Sequence, residues 1–143
     1  MTRYVLDASV AAKWFLPSER EPFAKEALHL LKAYVSGQAQ FFVPDLFFAE
    51  FANILWKAER QGRCSGKVAD EALSVLIARD LPVFPTGPLA REAMRIARSK
   101  GRTAYDALYV ALALELECGF IIADENLANA VGDRFPVIWL GTL

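Results

Sequence analysis

At 143 residues, with 16 Lys and Arg against 17 Asp and Glu and a formal net charge of −1, the chain has the length of one domain, and no bulk charge dictates a polyanionic or membrane partner. A domain of this size buries roughly two-thirds of its unfolded surface, so its core needs no staples. Cys64 and Cys118 are too few and too far apart for a zinc motif or a secreted disulfide scaffold. No apolar run reaches membrane length, and Met1-Thr2-Arg3 leads directly into a strand-like run rather than a signal peptide, so the expectation is a soluble, cytoplasmic protein with free thiols.

The first element is a strand at Tyr4 to Leu6, followed by Asp7 and a helical-looking segment, Ala8 to Leu16. Ser18-Glu19-Arg20-Glu21 is a capping-box pattern before a helix over Phe23 to Val35, and Gly37 stops it. Phe41 to Val43 is the second strand; Pro44-Asp45 opens a helix that Gly62 closes. A helix from about Ser65 to Arg79, a strand at Leu81 to Phe84 and a helix from Pro88 to Lys100 ending at Gly101 come next. The helix Thr103 to Glu117, the strand Phe120 to Ala123, a short helix Glu125 to Val131 and the strand Val137 to Leu140 complete the chain. Strands separated by helices imply parallel pairing and a layered α/β domain spanning 1–143, without internal repeat or linker.

Acidic residues punctuate this pattern where carboxylates are costly unless they have a partner. Asp7 and Asp124 each follow an apolar strand directly, at the sheet edge where open α/β sheets hold ligands. Each is also explained as a helix N-cap, and Asp106 as the acid of a capping box with Thr103. Glu50 is different, since Leu46, Phe47, Phe48, Phe51, Ile54, Leu55 and Trp56 make its helix apolar nearly all round, as in a buried or interface helix, with only Asn53 and Lys57 as polar company. Trp14, Trp56 and Trp139 read as core or interface anchors, and His29 as a bystander.

Gathered at one edge, such acids repel. Two carboxylates ~4 Å apart cost about 4 kcal/mol at an effective dielectric of 20. A divalent cation reverses that sign, and an oxygen-only donor set selects Mg²⁺ or Mn²⁺ over zinc or iron. The corresponding chemistry is phosphoryl transfer to water.

Four blocks then resemble the PIN domain family, particularly the VapC-type toxins: Val5-Leu6-Asp7-Ala8-Ser9; Val43-Pro44-Asp45-Leu46 with Glu50 and Asn53; Thr103-Ala104-Tyr105-Asp106-Ala107-Leu108-Tyr109-Val110-Ala111-Leu112-Ala113; and Ile122-Ala123-Asp124-Glu125-Asn126-Leu127. The resemblance implies a three-layer α/β/α domain with a central, mainly parallel sheet of about five strands. It also implies a Mg²⁺- or Mn²⁺-dependent endoribonuclease that is the toxin of a VapBC-type pair, with a VapB-like antitoxin and a homodimer. Asp7, Glu50, Asp106 and Asp124 would be the metal-binding acids, and Ser9, Thr103, Asn53 and Asn126 their polar neighbours. Many family members carry another acid just beyond the last aspartate. Here Asn126 stands two residues after Asp124, which leaves a second metal open.

An RNA track is sought locally. Arg91, Arg95, Arg98 and Arg102 recur at intervals of four, three and four, sharing one face if helicity spans them, and Lys57, Arg60, Arg63 and Lys67 form a looser cluster. Two alternatives stand beside the nuclease: a non-catalytic PIN-like RNA- or protein-binding module whose acids are caps, and another Mg²⁺-dependent phosphoesterase. The haloacid-dehalogenase-like form of the latter is disfavoured because Asp7-Ala8-Ser9 lacks a second aspartate two residues on.

Overall fold

The computed structural model describes residues 1–143, apart from the Asp133 side chain. Its centre is a five-stranded, all-parallel sheet in the order β3-β2-β1-β4-β5, with β1 at Thr2–Leu6, β2 at Ala39–Pro44, β3 at Val83–Phe84, β4 at Gly119–Ile122 and β5 at Val137–Trp139. Every expected strand is present, within two residues at each end. The central strands are apolar on both faces: Val5, Leu6, Phe41, Val43, Phe120, Ile121 and Ile122 are all essentially inaccessible.

The helices are α1 (Ala8–Ala12), α2 (Ala24–Val35), α3 (Phe47–Arg60), α4 (Gly66–Ala78), α5 (Ala90–Lys100), α6 (Ala104–Glu115) and α7 (Glu125–Val131). Strand order decides their placement. The chain moves outward from β1 through β2 to β3, then returns past β1 to β4 and β5. Right-handed crossovers therefore send α1 to α4 to one face and α5 to α7 to the other. The packing of α1 on α3, α3 on α4 and α5 on α6 agrees. The reversal between β1 and β4 is a topological switch point, the position at which open parallel sheets leave a crevice beyond the strand ends.

Two local expectations are corrected. Ser18–Arg20 forms its own 3₁₀ turn, and Glu21 does not close a capping box for α2; it pairs with Lys13 Nζ at 3.4 Å and Arg63 Nη1 at 3.2 Å. The α2 start is instead set by Phe23 at φ 61°. Nor is α3 buried all round. Phe47, Phe51, Leu55 and Ala58 form one buried stripe at helical spacing, while Trp56 is 51% exposed with the Arg60 guanidinium 4.7 Å from its ring centroid. Among the described residues, no helix is long and apolar enough to cross a membrane.

Candidate metal centre

Four acids occupy helix beginnings at the C-terminal edge of the sheet. Leu6 is in register with Ile121 and the Asp7 amide bonds the Ile121 carbonyl at 3.3 Å, so Asp7 and Asp124 leave neighbouring strands two register steps apart. Asp7 is the N-cap of α1 and Asp124 the N-cap of α7. Glu50 lies in the first turn of α3, which follows β2, and Asp106 in the first turn of α6, whose chain then descends into β4. The positive N-terminal ends of the two long helices α3 and α6 thus face the acids they carry, each offsetting on the order of 0.3–1 kcal/mol of repulsion.

Asp7, Ser9, Glu50, Asn53 and Asp106 line one cleft of about 240 Å³, floored by Ala8 and Ile54. Each carboxylate is held differently. Asp7 Oδ2 accepts the Ser9 amide at 3.3 Å and the Ser9 hydroxyl. Glu50 Oε1 accepts the Tyr109 hydroxyl at 2.5 Å. Asp106 presents its amide to Thr103 Oγ1 at 3.1 Å, but its carboxylate lies 3.4 Å from Arg102 Nη2. Only half of the capping box forms, and the Asp106 carboxylate is free of cap duty. Asp124 Oδ1 does accept the Asn126 and Leu127 amides, at 2.9 and 3.2 Å, while Oδ2 stands 3.5 Å from Arg102 Nη2. Asp124 and Asn126 are exposed at the rim, outside the cleft lining.

The electrostatics are those of crowded like charges. Burial pushes the Asp7 carboxyl up to about 6 from its ordinary 3.8; Glu50 and Asp106 push the same way, and the Ser9 bonds oppose them. Burial also raises Glu50, opposed by the Tyr109 bond and helped by Asp106. Burial, then the negative charges of Asp7 and Glu50, hold the Tyr109 hydroxyl far above its usual range, so it stays a donor. Among the described residues, no three acids approach closely enough to enclose one ion as they stand. The donor chemistry fits a hard divalent ion: carboxylate oxygens, a hydroxyl and an amide converge, and neither thiolate nor imidazole lines the cleft.

Tyr109, within the Thr103 to Ala113 block, is a further polar group of this site, for which the sequence reading has no role. It follows Asp106 by three residues on α6, a spacing that puts both on adjoining parts of one helix face, and that was the available signal. The arginine row is corrected. Gly101, at φ 66°, ends α5, so Arg91, Arg95 and Arg98 remain exposed on that helix while Arg102 turns in between Asp106 and Asp124. Arg95 also pairs with Glu92 at 2.6 Å.

Comparison with known proteins supplies independent findings. The PIN domain sequence pattern matches residues 4–132. Ribonuclease VapC3 of Pyrobaculum aerophilum is 32% identical over 138 residues, covering 95% of this chain and 97% of that protein. The crystal structure of PAE2754 from Pyrobaculum aerophilum superposes with a TM-score of 0.70 at 24% identity, over 99% of this chain and 91% of the other. VapBC2 of Rickettsia felis, solved bound to a DNA fragment from its promoter, gives a TM-score of 0.65 at 11% identity, over 96% and 98%. At these identities the two structures speak for the fold alone.

Proposed function

The chain belongs to the PIN domain family, and from that premise we propose that it is the endoribonuclease toxin of a VapBC-type toxin–antitoxin pair, dependent on Mg²⁺ or Mn²⁺. The observation that carries this reading is the convergence of Asp7, Glu50 and Asp106 on one oxygen-lined cleft at the sheet's switch point. Asp7 and Asp106 are the principal candidates to hold the cation, with Asp124 joining from the rim and Glu50 either holding it or orienting the attacking water. When bound, the cation supplies a nucleophile at neutral pH and neutralises charge on the phosphodiester.

The chain's own residues do the rest. Ser9 fixes the Asp7 carboxylate through two donors that both end on Oδ2, leaving Oδ1 as the oxygen offered to a cation. Thr103 starts α6 and thereby sets where Asp106 stands. Tyr109 holds one Glu50 oxygen and leaves the other for water. In the proposed in-line hydrolysis the water oxygen bonds to phosphorus and the bond to the 3′ oxygen breaks, leaving a 3′-hydroxyl and a 5′-phosphate. A VapB-like antitoxin and a second copy of the chain are the proposed partners.

Purified protein given a labelled structured RNA should cleave it with Mn²⁺ or Mg²⁺ and not with EDTA, and Asp106→Asn prepared in parallel should be inactive while folded. Equal cleavage by both proteins would expose a contaminant and remove the support for this reading. Absence of cleavage under every metal, from folded protein free of antitoxin, would favour a binding module.

For the RNA path, exposed Arg95 and Arg98 are the test. Replacing both with Gln should raise KM several-fold, leave kcat near its starting value and lower the salt slope by about 1–2, since each lost phosphate contact removes roughly 0.7–0.9 from it. An unchanged salt slope would move the track to the Lys57 and Arg60 side of α3.

A further inference from the structure

Arg102 occupies an unusual place for a basic residue. It follows the left-handed Gly101 that ends α5 and precedes Thr103, the N-cap of α6, so its backbone is pinned in the short turn between two closely packed helices. From there one nitrogen, Nη2, reaches two acids on different elements: Asp106 Oδ2 at 3.4 Å and Asp124 Oδ2 at 3.5 Å. Among the described residues no other cation pairs with any of the four acids. Its Nε is buried with no hydrogen-bond partner.

A guanidinium that was simply structural would be expected to meet its carboxylates through two parallel bonds and to satisfy its Nε. This one is held through a single nitrogen, by one long hydrogen bond to Asp106 and an ion pair with Asp124. Its site is the space between Asp106 and Asp124, which a divalent ion drawing on both carboxylates also needs. Two cations drawing on the same Oδ2 oxygens repel each other, and a dication offers each carboxylate the larger attraction.

We propose that Arg102 is a built-in counter-cation that competes with the divalent ion for Asp106 and Asp124, so that metal loading requires Arg102 to leave and the metal concentration needed for loading is set by this residue. Arg102 is a positioning residue in this account: it acts through the two acids. The proposal rests on the metal-dependent reading above. Without metal it spares the acids part of their repulsion; with metal it is displaced toward the rim.

The test is calorimetric titration of Mn²⁺ into chelator-stripped protein. Arg102→Gln should bind Mn²⁺ about tenfold more tightly than the unaltered chain, because two long, partly exposed ion pairs no longer have to be broken. Stripped Arg102→Gln should also melt at a lower temperature, and Arg102→Lys should lie between the two in both respects. Equal or weaker Mn²⁺ binding by folded Arg102→Gln, with the unaltered chain binding normally, overturns the proposal alone. No binding by either protein overturns it together with the metal-dependent reading. Should Arg102→Gln fail to fold, the Arg102 Nε–H resonance, identified by its loss in Arg102→Lys, gives the answer during Mg²⁺ titration. Movement of that resonance in step with saturation supports displacement, and a stationary resonance overturns it.

Discussion

Asp7→Asn should abolish cleavage and, in the metal-free protein, increase stability. The Asp7 carboxyl titrates near 6 in the folded chain against an ordinary 3.8, mainly because it is buried and secondarily because Glu50 and Asp106 crowd it. Folded protein therefore binds this proton more tightly than unfolded protein does. Stability is fully present below about pH 4, is lost as pH rises through about 6, and above that the buried charge costs at most about 3 kcal/mol by 1.36 kcal/mol per unit. Partial solvent access reduces the expected figure to about 1–2 kcal/mol. Asn keeps the cap, since its oxygen can accept the Ser9 amide as Asp7 does. Metal-stripped Asp7→Asn should thus be more stable than the parent at about pH 8 by that amount, with the gain gone near pH 4. Cleavage with Mn²⁺ should fall at least ~10³-fold, the loss of roughly 4 kcal/mol of charge stabilisation, and Mn²⁺ should no longer raise Tm. Urea melts at the two pH values, read beside the cleavage rate, decide the matter. A variant less stable at pH 8 that still cuts RNA would make Asp7 a helix cap and nothing more.

That opposition of stability and activity explains which parts of the molecule were legible in sequence. Strands were legible because the Val5–Leu6 end of β1 and most of β2 and β4 are short apolar runs buried on both faces and bounded by turn or cap residues; nothing distant competes with that pattern. Asp7 and Asp124 were legible for the same reason, as charges placed one or two residues past such runs. The cap reading and the site reading turn out to be compatible, since both residues cap a helix and still present an oxygen toward the cleft or Arg102. Glu21 was misread because a local motif gave way to ion pairs with Lys13 and with Arg63, 42 residues away. Arg102 was misread although Gly101 was identified as a helix stop, since the interval of four across it matters only if the helix continues. The Glu50 partner was invisible: Tyr109 is 59 residues distant, and only the packing of α3 and α6 at one sheet edge brings them together.

Tyr109→Phe isolates that long-range contact. The ring is buried and stacks on Phe120 with centroids 5.0 Å apart and planes 11° from parallel, so Phe preserves the packing and removes only the hydroxyl. The fold should lose about 1 kcal/mol, the net worth of one hydrogen bond, because half-buried Glu50 can recover a bond from water. Activity should drop by roughly 10–100-fold, the usual cost of removing a group that orients a ligand or a catalytic carboxylate. A purely structural role would produce only the first effect. A third readout separates the cases further. The Tyr109 bond lowers the Glu50 pKa against burial and Asp106, so removing it must raise that pKa. If Glu50 works as a carboxylate, the acid limb of the rate profile of Tyr109→Phe should move to higher pH, and part of the lost activity should return as pH is raised. A variant with lowered stability, unchanged rate and an unmoved acid limb would remove Glu50 from the reaction and leave Asp7, Asp106 and Asp124 to account for it.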